Sequence, residues 1–227
     1  MGDDSVPGPA PGANLPGVDL SDGVAVRVAS LCLGENGRLS EKLLCGTAVR
    51  GGLLLDLALA GRVESAEDSV VIDPTPTGFE PADRLLAAIA IEPERSLDSW
   101  LDERRIGLRD LAAANVASGR WERRSGPLGF GRRYSDLRRE ETGVDADRPE
   151  ADIATMTPAD ACVAALVAAA GLQGPDIWAG GRRADDVLPA TGPVAWLADA
   201  VVDHVLLTDA RYRLEAGALG AGGMGPF

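Results

Sequence analysis

Between Leu43 and Ala60 the chain reads LLCGTAVRGGLLLDLALA, a run whose only charges are Arg50 and Asp56. A helix that is apolar on most of its circumference cannot lie on a surface, because every face it turns to water exposes hydrocarbon. It therefore predicts a central helix with the rest of the chain wrapped around it. Ser40 fits an N-cap with Glu41 at the first helical position, and Gly61 fits the stop. Neither charge can stay alone among aliphatic side chains. Asp56 is expected to be the structural partner of an arginine. For Arg50 two readings stand: an ion pair with an acid such as Asp56, or the capture of an anion.

The remaining segments are read from pattern. Hydrophobic residues make up 45% of the 227, yet aromatics only 4%, so Leu, Ala and Val must fill the core, a balance that favours helices. The expected fold class is mainly α: a single compact helical domain with short β-hairpins. Residues 1–22, rich in Pro, Gly and Asp, read as a disordered tail, 23–214 as the domain, and 215–227 as a flexible tail. Residues 24–33 suit a short helix or a strand. Residues 62–64 and 69–73 read as strands, and Pro74 to Gly78 as a rigid turn, with Pro81 opening the next helix. Short helices follow over 96–104 and 106–117. Residues 120–124 and 130–135 suit a hairpin across a Ser-Gly-Pro-Leu-Gly connection. Residues 158–171 and 193–213 close the domain as helices.

Charge is unevenly placed. The chain carries a net −13, but residues 101–140 hold ten arginines against six acids, a local +4. A single lysine, Lys42, alongside abundant Ala, Gly, Asp and Arg, points to a GC-rich bacterial genome. Cys32, Cys45 and Cys162 lie far apart in apolar contexts with no CxxC spacing, which predicts buried thiols and no zinc or redox centre. His204 is the only histidine, and Asp203 beside it cannot face it on a helix. No GxSxG, P-loop, HExxH or Rossmann spacing occurs, and Gly51-Gly52 is not phosphate-loop spacing. The chain is therefore expected to be no enzyme, with no catalytic residue, metal or cofactor. Met1-Gly2-Asp3-Asp4 has neither a basic region nor an apolar stretch, so no signal peptide is expected. The longest strongly apolar run, 51–60, is too short to span a bilayer.

Three blocks carry a family resemblance. Ala48-Val49-Arg50-Gly51-Gly52-Leu53-Leu54-Leu55-Asp56-Leu57-Ala58-Leu59-Ala60-Gly61-Arg62-Val63 resembles the signature helix of the Golgi phosphoprotein family, with its Arg-Gly pair, acidic residue and Gly-Arg exit. Pro76-Thr77-Gly78 followed by Ala82-Asp83 and Leu85-Leu86 resembles the family's next turn and helix. Leu111, Ala112, Val116, Gly119 and Trp121 resemble the entry to its hairpin. The resemblance covers residues 24–210. It implies a non-catalytic, peripheral membrane adaptor that binds the headgroup of phosphatidylinositol 4-phosphate in a basic pocket and dips a hairpin into the bilayer.

Position by position, the resemblance puts headgroup arginines at Arg50 and near Arg105, with Arg109 beside the next expected position, Leu108. The family's pocket tryptophan falls on Glu41, whose carboxylate would repel a phosphate. The membrane hairpin falls on 121–134: an apolar tip of Leu128 and Phe130 ringed by Arg123, Arg124, Arg132 and Arg133. The partner so implied is an anionic membrane lipid met by a cytoplasmic protein on the inner face of the plasma membrane. A protein partner and homo-oligomerisation stay open. The alternatives are a scaffold of the same fold that binds protein and no lipid, and a nucleic-acid-binding module using Trp121, Phe130 and Tyr134. The acidic remainder of the chain weighs against nucleic acid.

Overall fold

A computed structural model of the chain describes residues 19–40, 43–66, 69–125, 131–138, 153–172 and 184–221. The expectations placed on Glu41, Leu128 and Phe130 lie outside these residues. In chain order the elements are α1 (Val24–Leu31), α2 (Leu43–Leu59), β1 (Val63–Ala66), β2 (Ser69–Ile72), α3 (Glu80–Ile91), α4 (Leu97–Leu101), α5 (Leu108–Ala117), β3 (Trp121–Ser125), β4 (Arg132–Asp136), α6 (Pro158–Ala169), α7 (Ala184–Val187) and α8 (Ala195–Ala221). The fold is mainly helical with two two-stranded antiparallel sheets, as the sequence predicts. Of the ambiguous segment 24–33, Val24–Leu31 is a helix, and Leu33 forms an isolated antiparallel bridge with Leu39.

The apolar run forms the hub. Cys45, Ala48, Val49, Leu53, Leu55 and Leu57 of α2 are all buried, with α1, α3, α4, α5, α6 and α8 packed around it. Each fully buried leucine contributes on the order of 1.5–3 kcal/mol by leaving water. Gly51 and Gly52 are notches in this hub. A methyl group on Gly52 would lie 2.7 Å from the Cα of Ala25 in α1. One on Gly51 would lie 2.4 Å from Cγ1 of Val201 in α8. The glycine pair therefore sets how closely α1 and α8 cross α2 on its two sides.

Among the described residues Asp56 does not pair with an arginine, contrary to expectation. Its carboxylate accepts the backbone N–H groups of Val24 (2.7 Å) and Ala25 (3.0 Å), buried donors at the start of α1 that have no intrahelical acceptor. It is a helix cap supplied from a different helix. A methyl on Gly23 would lie 2.5 Å from its Oδ1, so the chain comes close here because residue 23 lacks a side chain. Burial pushes the Asp56 carboxyl up to about 7, against the opposing pull of the two N–H donors.

Other predicted features are present. Pro76-Thr77-Gly78 is a turn, held by Asp83, which accepts from Thr77 N, Thr77 Oγ1 and Gly78 N at 2.6, 2.7 and 3.1 Å. Gly78 has φ 86°, a conformation that favours glycine. Thr157 and Asp160 form a reciprocal capping box at the start of α6. The three cysteines are buried, and burial pushes the Cys162 thiol up to about 12. The tail read over residues 1–22 ends in order: Leu20 is buried, and Asp22 pairs with Arg120 at 2.5 Å.

The β3–β4 hairpin is braced at its base. Trp121 is buried with its ring centroid 5.9 Å from that of Tyr134. Ser30 Oγ of α1 donates to Asp136 at 2.5 Å, and Tyr134 N donates to the carbonyl of Gly37 at 2.7 Å. Among the described residues one helical stretch, Ala184–Glu215, is long and apolar enough to cross a membrane by length and composition, beyond the run at 51–60. Its Leu197, Ala198, Val201, Val202 and Val205 are buried against the domain, while Trp196, Leu206 and Leu207 are exposed, so the stretch is a partly buried helix of the domain.

Two outcomes follow from the hub. Gly52→Ala is expected to destabilise the protein by about 1–3 kcal/mol, read from urea unfolding, because the added methyl meets backbone that cannot rotate away. Asp56 supplies a pH dependence. Its folded carboxyl titrates near 7 and its unfolded one near 3.8, so the folded state holds the proton more tightly. That contribution is full below the unfolded value and is lost as pH rises through the folded value. The stability of wild type relative to Asp56→Asn should fall between these limits by up to about 1.4 kcal/mol per pH unit, then level off. A difference independent of pH would contradict the assignment.

Candidate anion-binding site

Arg50 is only 5% exposed, and its guanidinium is held by uncharged groups. Nε donates to the carbonyl of Leu101 at 2.5 Å and Nη2 to Thr47 Oγ1 at 3.2 Å. Among the described residues no carboxylate lies within ion-pair distance, so the expected pairing with Asp56 is absent. Burial pulls the Arg50 pKa below the ordinary arginine value, while Asp102 and Glu103 act to raise it and Arg104 to lower it. The remaining nitrogen, Nη1, faces two glycines. A methyl on Gly46 would lie 3.3 Å from it and one on Gly107 3.5 Å.

The chain folds this way for local reasons. Ser96 caps α4, accepting from Ser99 N. Trp100 and Leu101 turn inward, which leaves the C-terminal carbonyl of Leu101 for Arg50. The segment from Asp102 to Gly107 then passes over the guanidinium. Asp110 ends that segment by accepting Gly107 N at 3.0 Å and pairing with Arg84 at 2.8 Å. Arg84 also donates to the carbonyl of Arg105. This segment puts Arg104 and Arg105 on the exposed side above Arg50. Arg105 is 88% exposed, with Glu103 at 3.8 Å as a loose partner. Arg109 projects from the first turn of α5 into solvent, and no ion pair holds it among the described residues. The segment that carries Arg105 passes by Arg50, while Arg109 lies beyond it on α5; of the three, only Arg50 is built into the interior.

His204 belongs to the same neighbourhood, which sequence reading missed. Its Nδ1 lies 2.8 Å from Asp98 and its Nε2 3.2 Å from Asp102, so α8 clamps the end of α4 that supplies the Leu101 carbonyl. Asp98 and Asp102 stand about one helical turn apart, the one signal that a single ring could meet both. Asp203, its sequence neighbour, points to solvent.

The hairpin arginines divide between two faces. Arg123 stands opposite Tyr134 and Arg132 opposite Ser125, on the face that carries Trp121. Arg124 stands directly opposite Arg133 on the other face, a like-charge pair that a sheet does not favour. Glu122 offsets it by pairing with Arg124 at 2.7 Å. Arg133 Nε is buried without a hydrogen-bond partner among the described residues. Arg123 and Arg132 are exposed, leaving two cations on the face of the hairpin that carries Trp121. Among the described residues no group of three or more His, Cys, Asp or Glu forms a metal site.

No curated protein matches the chain. The family model for Golgi phosphoprotein 3 (GPP34) matches residues 31–206, a stretch that runs from the end of α1 into α8. It contains Arg50, the segment over it, the hairpin and His204. With that match spanning most of its length, the chain belongs to the Golgi phosphoprotein 3 (GPP34) family.

Proposed function

We propose that the chain is a non-catalytic peripheral membrane adaptor that takes the phosphate of an anionic lipid headgroup, of the phosphatidylinositol 4-phosphate kind, at Arg50. The observation that carries this reading is a buried guanidinium with no carboxylate partner among the described residues. Asp102 and Glu103 act on it only from beyond ion-pair distance, and a bound phosphate would supply a direct counter-charge. Nη1 faces Gly46 and Gly107, the direction with the least side chain in the way. Arg105, in the covering segment beside Arg104, and Arg109, just after it on α5, are exposed and would meet the headgroup from outside.

Arg123 and Arg132 of the hairpin add general attraction to an anionic surface, with Arg124 and Arg133 behind them. Each basic residue near such a surface contributes about 1 kcal/mol, and salt screens that term. Leu128 and Phe130 at the tip would add hydrophobic burial. The strongly acidic remainder of the chain has to face away from the membrane. Family membership supports the adaptor reading. The membrane so met is the inner face of the plasma membrane.

Liposome flotation tests this directly. Wild type should float with vesicles containing phosphatidylinositol 4-phosphate and not with neutral vesicles. Arg50→Ala, checked for folding by circular dichroism, should lose binding by about 10-fold or more, the scale of one charge-assisted contact. Arg123→Gln with Arg132→Gln should weaken binding mainly at low salt. Flotation indifferent to Arg50, or a folded wild type that floats with no lipid, would contradict the proposal and favour a protein-binding scaffold.

A further inference from the structure

We infer that His204 is a positioning residue that makes anion binding at Arg50 sensitive to pH. With both ring nitrogens protonated, His204 holds Asp102 away from Arg50; on losing one proton it releases Asp102 to compete with a bound phosphate. This deepens the proposed function and rests on Arg50 taking a phosphate. The His204 side chain is 6% exposed, and the carboxyl-bearing side chains of Asp98 and Asp102 that meet its ring are 77% and 63% exposed. Nδ1 lies 2.8 Å from Asp98 and Nε2 3.2 Å from Asp102. An ionised carboxylate only accepts hydrogen bonds. Both contacts are therefore hydrogen bonds only when both nitrogens carry a proton, which is the charged form of the ring. A neutral ring keeps one N–H and turns a lone pair on the other carboxylate. The shorter contact, to Asp98, keeps the remaining N–H, and the Asp102 arm opens.

The position of Asp102 gives that release its effect. Asp102 directly follows Leu101, whose carbonyl accepts from Arg50 Nε. Asp102 and Glu103 are the acids whose charge reaches Arg50. Glu103 is tied elsewhere by groups that keep their hydrogens at any ordinary pH: it accepts from Arg105 N at 3.1 Å and from Arg95 at 3.2 Å. Among the described residues the Asp102 carboxylate is held by His204 alone. Of the two acids beside the Arg50 site, one is thus fixed by an arginine and the other by a ring proton. Histidine is the side chain whose charge ordinarily changes between about pH 5 and 8.

The other elements packed against α8 bring few titratable groups. α4 supplies Asp98 and, at its C-terminal cap, Asp102. α2 supplies Arg50, Cys45 and Asp56, the last already taken by the N–H groups of α1. α6 supplies Cys162 and Asp160, which pairs with Arg27 at 2.8 Å. The stretch Leu188–Val194 that leads into α8 has no titratable side chain. On α8 itself Asp203 points to solvent. Among the described residues the groups in hydrogen-bond contact with the ring are therefore the two carboxylates of α4 and its cap.

The test is calorimetric titration of the full chain with inositol 1,4-bisphosphate between about pH 5 and 8, comparing wild type with His204→Gln and Asp102→Asn. Glutamine keeps an N–H donor for Asp102 but has no proton to lose. Asparagine removes the competing charge. Ionisation of the ligand affects all three proteins alike and cancels in their ratios. As pH rises, wild-type affinity should fall relative to each variant by about 5-fold, the scale of one partly exposed ion pair. The ratio between the two variants should stay constant. Asp102 is exposed, so Asp102→Asn carries the comparison even where replacing the buried ring disturbs folding. Nitrogen NMR of the ligand-free protein reads the ring directly, because His204 is the only histidine. It should show two protonated nitrogens at the acid end and one at the other. Constant ratios to wild type while all three bind, or a ring that keeps one protonation state throughout, would overturn the pH clamp and leave the Arg50 reading standing. A folded wild type that binds at no pH would overturn both.

Discussion

A helix buried on every side cannot leave its polar groups to water, and α2 carries two charges. The fold depends on how they are met. Asp56 takes the free N–H groups at the start of α1, and Arg50 takes a free C=O at the end of α4. In both cases a buried charge is satisfied by the end of another helix, whose unpaired backbone groups need a partner just as much. The two charges thus lock α1 and α4 onto α2 from different directions. The glycine pair between them in sequence lets α1 and α8 approach closely enough for those contacts to form.

The same arrangement separates the two ends of α2 by chemistry. Asp56 is fully enclosed and already has two donors, so nothing remains for a ligand. Arg50 has a carbonyl and a hydroxyl, neither of which cancels its charge. The segment above it is short, follows a C-terminal helix end, and carries its cations outward. His204 steadies that segment from α8 through Asp98 and Asp102. The hairpin is braced separately, through Ser30, Asp136, Arg120 and Asp22, so its arginines are displayed from a fixed base.

Much of this was legible in the sequence where a local pattern dictates the outcome. The apolar run declared a central helix, Pro81 and Gly61 marked boundaries, and the turn at Thr77 followed from Pro and Gly. The hairpin strands fell within a residue or two of the prediction. What was not legible were partners set by tertiary packing. Asp56 was matched to an arginine because charge is visible in a sequence and a free backbone N–H is not. His204 was judged against Asp203, its neighbour, while its actual partners lie about a hundred residues earlier, brought close only by the crossing of α8 with α4. The spacing of Gly51 and Gly52 excludes a phosphate loop. Their role as crossing notches depends on Ala25 and Val201, which no local window contains.

The central claim is that the Arg50 guanidinium is completed by a phosphate. A crystal structure of the protein with the soluble headgroup inositol 1,4-bisphosphate tests it most directly. The account predicts a phosphate oxygen within hydrogen-bond distance of Arg50 Nη1, between Gly46 and Gly107, with the Nε–Leu101 contact kept. A headgroup bound elsewhere, or Arg50 closed off by a carboxylate of the protein itself, would contradict it.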